Sequence, residues 1–252
     1  MPATQRRPSR AALLTEPPRA GLDVAALAAA WPVLATARRG DGHPVLVLPG
    51  LLTGDPATLV LRTALRALGH DVSGWELGLN RGPTSRVVDA LRAHLERMHR
   101  STGRRVSLVG WSLGGLYAQE LARAAPGSVR ALVTLGTPVG RWAPWVRTAS
   151  RIVDGGGRLP GTASLPRPWA ERGSLRVPAT SVYTRGDGIV HWSTCRYELR
   201  ARRENVEVRG SHLGLAVNPA VLWLLADRLG TAEGSWAPFR PPLALRPLFP
   251  RR

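Results

Sequence analysis

The sequence predicts an α/β fold built on a mostly parallel, doubly wound sheet of about six strands. Short apolar runs alternate with longer amphipathic segments along most of the chain, an order typical of right-handed strand–helix–strand crossovers. Several of these runs are apolar at every position, as in strands that are covered on both faces. With 252 residues, 44% of them hydrophobic, the chain is long enough for one domain with a complete core.

The first segment, residues 1–20, is rich in proline and arginine and has few large apolar residues, so we expect a disordered tail. An apolar helix over residues 22–31 should follow. Residues 24–37 also resemble a signal peptide, because they are apolar, come after arginines and end in an A-x-A pattern. Against this, Asp23 abuts the apolar run, Pro32 interrupts it, and the arginines lie well upstream. We therefore favour a helix that packs on the core or touches a membrane, in a cytoplasmic protein, over secretion.

The remaining elements alternate in order and predict a single domain over residues 21–230. Strands are predicted at residues 43–50, 72–77, 106–109, 129–135, 179–184 and 206–208. Helices are predicted at residues 57–68, 84–100, 113–125 and 219–229, the second of them capped by Thr84. The proline-rich residues 231–252 are expected to lie along the surface as a C-terminal tail.

One long segment, residues 139–176, breaks the alternation and is predicted to be a lid insertion. It carries Trp142, Trp145 and Trp169, which would form an apolar roof, and the glycine run 155–157, which would act as a hinge. A segment of this length without regular period, inside a compact domain, is usually functional.

The residues around Ser112 predict a nucleophile elbow, which is a sharp turn between a strand and a helix that presents a reactive serine. The pattern G-x-S-x-G spans Gly110 to Gly114, directly after an apolar strand and directly before an amphipathic helix. In this strand–turn–helix context the serine takes a strained conformation, and its hydroxyl stands clear of the chain at a helix N-terminus. The turn is so tight that side chains two residues before and after the serine would collide, so both positions favour glycine.

A serine nucleophile needs a base and a carboxylate that orients the base. Asp187 follows the predicted strand 179–184, and His212 follows the predicted strand 206–208. Because the carboxyl ends of parallel strands meet at one edge of a sheet, we expect both side chains to lie beside Ser112.

Other acids and histidines remain alternatives. Asp154 is the competing acid, but it lies in the irregular insertion. His191 is the competing base, although it is better suited to line the site. Four further histidines precede the elbow, against the expected order of serine, acid and histidine: His43, His70, His94 and His99.

The oxyanion formed in acyl transfer needs two backbone N–H groups aimed at one point. The residue after the nucleophile, Leu113, should supply one. The loop after the first core strand, residues 49–52, should supply the other, with Leu51 favoured and Leu52 open.

Over residues 43–230 the chain resembles lipase/esterase-type α/β hydrolases, in a short-sheet form that lacks the first strands of the full fold. The matching pieces are VLVLPG, GWSLGG, LGTPVG, DGIV and GSHLGL. The resemblance implies hydrolysis of a carboxylic ester through an acyl-serine intermediate. One alternative is an acyltransferase or thioesterase that uses the same three residues, the triad of Ser112, Asp187 and His212. Another is a binding protein on a hydrolase scaffold. Many relatives carry His-Gly where this chain has Pro49-Gly50.

The substrate is expected to be a small-molecule or lipid ester with a medium-length acyl chain. Five aromatic residues are predicted to line its site: Trp111, Trp142, Trp145, His191 and Trp192. The sequence has no metal-ligand cluster, phosphate loop or dinucleotide fingerprint, so we expect no cofactor and no metal.

The net charge of +18 raises the question of an anionic partner. All 35 basic residues are arginines, and they are scattered rather than aligned on one element, which argues against a nucleic-acid partner. Contact with an anionic membrane stays open, and we expect a monomer. The single cysteine, Cys195, excludes an internal disulfide.

Overall fold

The computed structural model describes residues 8–139 and 175–250. Its strands are β1 (Pro44–Leu48), β2 (Asp71–Ser73), β3 (Val106–Trp111), β4 (Val129–Leu135), β5 (Ala179–Tyr183) and β6 (Arg203–Glu207). They form one parallel sheet of six strands in the order β2-β1-β3-β4-β5-β6. The chain builds outward from β1 to β2 and then returns past β1, which is the order of a doubly wound sheet. The predicted fold class is confirmed.

The helices are α1 (Arg10–Leu14), α2 (Glu16–Leu34), α3 (Leu59–Ala67), α4 (Ser85–Thr102), α5 (Leu113–Ala124) and α6 (Pro219–Gly230). Short 3₁₀ turns lie at Asp55–Thr58, Trp192–Cys195, Leu213–Ala216 and Leu243–Leu248. Thr84 caps α4 as predicted, because its hydroxyl accepts a hydrogen bond from the Val87 N–H.

The sheet separates two hydrophobic layers, and β1 shows why its sequence is apolar throughout. Val45 and Val47 pack with residues of α2, α3 and α6, whereas Leu46 and Leu48 pack with residues of α4 and α5. All four side chains are fully buried. Alternate residues of a strand point to opposite faces, so a strand between two helical layers needs no polar position.

The N-terminal region differs from the expectation of a disordered tail. Residues 10–20 are helical, and α2 begins at Glu16, six residues before the predicted helix 22–31. The inner face of α2 carries buried carboxylates, Glu16 and Asp23, while Leu22 and Val24 are exposed. The first turns of the helix are anchored by polar contacts rather than by an apolar stripe, so hydrophobic patterning could not detect them.

Two strands differ in length from the predictions for physical reasons. β2 ends at Ser73 because Asp55 accepts hydrogen bonds from the N–H groups of Trp75 and Glu76, which leads the chain out of the sheet. β6 begins at Arg203, before the predicted start at residue 206. The first residues of β6 are polar, and their hydrogen-bond partners lie elsewhere in the fold. The apolar residues that predict a strand therefore cover only part of β6.

The predicted lid lies almost entirely outside the described residues, and with it Trp142, Trp145, Trp169 and Asp154. The chain leaves the sheet after Leu135, where β4 ends, and at Val139 its backbone N–H donates to Thr194 O at 3.0 Å. It returns at Leu175, which is buried just ahead of β5. The lid stays a prediction.

The described part of the C-terminal tail lies on the domain surface, with its end attached. Phe249 is buried, and its ring centroid lies 5.0 Å from that of Phe239. Among the described helices, none combines the length and the hydropathy that crossing a bilayer requires.

Candidate active site

Ser112 lies in the sharp turn between β3 and α5, as the sequence predicts. Its backbone has φ 53° and ψ −119°, in the region that favours glycine, so this residue is strained. Hydrogen bonds of its own backbone N–H and C=O groups hold it there. The Ser112 N–H donates to Leu135 O at 2.8 Å, and the Thr137 hydroxyl donates to Ser112 O at 2.9 Å.

The glycines of the elbow are required by close backbone approach. A Cβ on Gly110 would lie 2.3 Å from the Cα of Gly115, and one on Gly114 would lie 2.1 Å from Leu48 O. Both neighbours are backbone atoms and cannot rotate away. The predicted collision is therefore present, although Gly114 meets the end of β1 rather than its own turn.

Asp187 and His212 form a buried pair at the carboxyl edge of the sheet. His212 Nδ1 lies 2.6 Å from Asp187 Oδ2, although the two residues are 25 positions apart. The other carboxylate oxygen of Asp187 accepts hydrogen bonds from the N–H groups of Ile189 and Val190, at 2.8 and 2.6 Å. Asp187 is 4% exposed and His212 is 2% exposed. The carboxylate is thus fixed on its loop and orients one edge of the imidazole.

Trp111 connects the elbow with the histidine loop. Its indole N–H donates to His212 O at 3.0 Å, and the two ring centroids are 6.2 Å apart. Ser112 follows Trp111 directly, which places the serine and the imidazole at the same end of the sheet. A Cβ on Gly136 would lie 3.0 Å from His212 Nδ1, so the loop after β4 also borders the imidazole. Trp111, predicted as a substrate contact, positions the histidine backbone in this structure.

The loop after β1, which carries the two predicted oxyanion donors Leu51 and Leu52, passes beside the serine. A Cβ on Gly50 would lie 3.4 Å from Ser112 Cβ. The Leu52 N–H donates to Asn80 O at 2.8 Å, whereas the Leu51 N–H has no acceptor within the described residues. Leu113 is the first residue of α5, so its N–H has no carbonyl partner within the helix.

Asn80 holds this loop in place, although the sequence analysis did not single it out. It is fully buried, and its side-chain amide donates to Pro49 O at 3.1 Å. Its side-chain oxygen lies 3.2 Å from the hydroxyl of Tyr117, on the helix that follows the nucleophile. Asn80 therefore joins the oxyanion loop to the elbow helix. No motif marks an asparagine in this role.

The structure pairs Asp187 with His212, and the rival base His191 has other contacts. His191 Nδ1 lies 2.8 Å from the Ser193 hydroxyl. Trp192 stacks on Tyr183, with ring centroids 5.9 Å apart, and the guanidinium of Arg185 lies 4.5 Å above it. These contacts pack the loop that carries Asp187. A substrate role for His191 and Trp192 stays a prediction.

Cys195 is not suited to act as a second nucleophile, and the described residues contain no metal-binding group. Cys195 is fully buried, and burial raises the pKa of its thiol well above the usual value. Over the same residues, no three His, Cys, Asp or Glu side chains come together in a way that could hold a metal ion.

No family model matches the chain. It is 39% identical over 107 residues to the polyketide synthase ThaQ of Burkholderia thailandensis, a match that covers 40% of this chain and only 5% of that protein. Similar solved structures include Aspergillus fumigatus lipase B, with a TM-score of 0.55 and 16% identity over 78% of this chain and 53% of that one. Bacillus licheniformis lipase BlEst2 gives a TM-score of 0.55 and 16% identity over 77% and 95% of the two chains.

The pyrethroid hydrolase PytH is similar to the same degree, with a TM-score of 0.55 and 16% identity over 77% of this chain and 98% of that one. Proteins with different substrates thus share this architecture equally, so the similarity identifies the fold and not the substrate. With its parallel sheet, its serine elbow and these structural neighbours, the chain has the α/β-hydrolase fold of the lipases and esterases.

Proposed function

We propose that the protein is a serine hydrolase that cleaves carboxylic esters through an acyl-serine intermediate. The observation that carries the proposal is the buried contact of 2.6 Å between His212 and Asp187 at the edge of the sheet where the strained Ser112 lies. Serine, acid and histidine occur in the chain order of α/β hydrolases. The three residues leave the sheet from three different strands.

Each residue has a defined role in this reaction. His212 takes the proton of the Ser112 hydroxyl as its oxygen attacks the ester carbonyl, and Asp187 orients His212 and stabilises the imidazolium that forms. The N–H groups of Leu113 and Leu51 stabilise the oxyanion. His212 then gives its proton to the leaving alcohol, and water releases the acid from the acyl-serine in a second round.

The substitution Ser112→Ala tests this mechanism. We expect a loss of about 10⁴-fold or more in kcat for a p-nitrophenyl ester, with residual rate from binding and oxyanion contacts alone. Circular dichroism of the variant should match that of the parent. A variant that cleaves the ester at the parent's rate would refute the acyl-serine mechanism.

Exposed apolar side chains beside the triad support an acyl-chain substrate. Leu52, Ile189 and Leu213 are 45%, 37% and 37% exposed, and they lie on the loops of the oxyanion donor, the acid and the histidine. We propose a preference for medium-chain over acetyl esters and stronger binding to anionic than to neutral vesicles. The test is the initial rate against acyl length, with and without anionic lipid, for the parent and Trp145→Ala. A rate that does not depend on acyl length, and that Trp145→Ala leaves unchanged, would contradict the predicted apolar roof over the acyl chain.

The partial similarity to a polyketide synthase favours one second candidate. A polyketide is assembled as an acyl chain, so the same triad could release or transfer an acyl group held as a thioester. Acyl thioesters and oxygen esters should be compared as substrates, with product analysis in the presence of added alcohol. Free acid as the sole product, with oxygen esters preferred, would exclude this candidate.

A further inference from the structure

Glu16, the first residue of α2, lies against both loops of the acid–histidine pair. We propose that Glu16 is a positioning residue that holds Asp187 and His212 in their reactive arrangement. This inference rests on the proposed function, because it assigns Glu16 a part in the same reaction. It gives the N-terminal helix a catalytic purpose that the sequence does not predict.

The contacts of Glu16 join the two loops directly. Its Oε1 accepts hydrogen bonds from the N–H groups of Gly188 at 2.8 Å and His212 at 3.1 Å. Its Oε2 accepts from the Leu213 N–H at 2.9 Å. Gly188 is the neighbour of Asp187, so one carboxylate binds the backbone on both sides of the Asp187–His212 contact.

A carboxylate is stable at this position because hydrogen bonds and an ion pair offset the free-energy cost of burying its charge. Glu16 is 1% exposed, and burying an unpaired charge is unfavourable. Here the two oxygens meet three backbone N–H groups and the guanidinium of Arg19, which lies 3.0 Å from Oε1. Two of those N–H groups, of His212 and Leu213, lie at the start of a 3₁₀ turn, where donors lack partners within the turn.

Two more residues of the same helix face extend the contact. Arg19 donates to Gly186 O at 2.7 Å, on the acid loop, and its guanidinium lies 3.3 Å from Gly210 O, on the histidine loop. Asp23 accepts from the Ser211 hydroxyl at 3.1 Å. Positions 16, 19 and 23 recur at helical spacing, so one side of α2 supports the loops on either side of the pair.

Replacing Glu16 with glutamine would disrupt these hydrogen bonds without changing the size of the side chain. Glutamine offers one acceptor oxygen, so a second donor would face the N–H groups that the carboxylate now satisfies. Glu204 provides a matched control. It is 3% exposed and accepts from the Thr180 hydroxyl, the Arg228 guanidinium and the Phe239 N–H, at the opposite end of the sheet from His212.

The test compares Glu16→Gln with Glu204→Gln by ester kinetics, thermal unfolding and hydrogen exchange. We expect Glu16→Gln to lower kcat about 10- to 100-fold with KM within about twofold, because misplaced catalytic groups slow chemistry more than binding. Both variants should lower Tm by similar amounts, because each loses an acceptor in a buried site. Glu204→Gln should leave kcat unchanged. The amides of Gly188, His212 and Leu213 should exchange about tenfold faster in Glu16→Gln only.

The readouts separate this inference from the proposed function. Parental kcat in Glu16→Gln, or an equal loss of kcat in Glu204→Gln, would overturn the positioning role. Unchanged exchange at Gly188, His212 and Leu213 would overturn it as well, whatever the activity. If the parent itself fails to cleave esters, the proposed function is wrong, and the exchange comparison still decides whether Glu16 holds the two loops.

Discussion

Strand β3 has one serine near its start and a second directly after its end, and a hydrogen-bonded histidine–aspartate pair lies at each of these ends of the sheet. At the carboxyl end Ser112 lies beside the Asp187–His212 pair. At the amino end the Ser107 hydroxyl lies 2.8 Å from His43 Nε2, and His43 Nδ1 lies 2.6 Å from Asp41 Oδ1. The presence of a serine near a hydrogen-bonded histidine–aspartate pair therefore does not distinguish a catalytic triad from a structural one.

The two serines differ in backbone and exposure. Ser107 is fully buried and pairs with Val45 in the regular ladder between β1 and β3. Ser112 is 5% exposed, has a positive φ and precedes a helix N-terminus. In the proposed mechanism, only the second position lets an oxygen leave the sheet and meet a substrate, with backbone donors beside it.

The two aspartates differ in what they serve. Asp41 contacts the guanidinium groups of Arg104 and Arg130, at 2.7 and 3.0 Å. Burial raises its pKa, but the hydrogen bonds from Arg130 and His43 outweigh this and hold the pKa well below the usual value. Burial lowers the pKa of His43, against the opposing effect of its hydrogen bond to Asp41. The amino-end set joins elements of the fold, whereas we propose that the carboxyl-end residues carry out the chemistry.

Replacing the two histidines should produce the largest contrast. We expect His212→Ala to lower kcat about 10⁴-fold, because the serine loses its base. His43→Ala should leave kcat within about twofold and lower the free energy of unfolding by about 2 kcal/mol, because Ser107 and Asp41 lose a buried partner. Ester kinetics and urea unfolding on both variants give the comparison. A loss of activity in His43→Ala without unfolding would erase the distinction.

The glycine of the elbow should come next. Gly114→Ala places a methyl group against Leu48 O, so we expect the elbow to shift and kcat to fall about 10²- to 10³-fold. Gly127→Ala is the control, since a Cβ there meets no atom within 4 Å and its φ is not positive. That variant should keep the parent's rate. Parental kinetics in Gly114→Ala would show that Ser112 needs no tight turn.

Acid should weaken the amino-end set through His70, a buried histidine 5.1 Å from His43 between ring centroids. Burial, with His43 and Arg130 nearby, lowers the pKa of His70 from 6.5 to about 4, against an opposing effect of Asp41. The unfolded chain therefore takes up this proton at higher pH than the folded chain. The stability due to neutral His70 is complete above pH 6.5 and is lost as the pH falls towards 4, by about 3 kcal/mol.

The measurement is urea unfolding between pH 7 and 4.5 for the parent and His70→Leu. The variant should lose less stability than the parent over this range, because its side chain at position 70 binds no proton. Equal pH dependence in the two proteins would contradict the assignment to His70.

The sequence was informative wherever local chemistry fixes structure. The sheet, the elbow and the acid and histidine loops follow from apolar runs and from residues placed after strands, and the structure brings Asp187 and His212 together as expected. Asn80 and Glu16 were missed because their partners are backbone groups distant in sequence. Such contacts leave no periodic pattern, and Glu16 sits in a proline- and arginine-rich stretch that suggested disorder.

The most direct test of the account is labelling of the folded protein with a fluorophosphonate, followed by peptide mass mapping. The reagent forms a covalent bond only with a serine whose hydroxyl is activated and accessible. We predict one adduct per chain, on Ser112, with Ser107 unmodified and no adduct in Ser112→Ala. Labelling of Ser107, or no labelling of Ser112 in protein shown to be folded, would contradict the claim that the carboxyl-end set is the catalytic one.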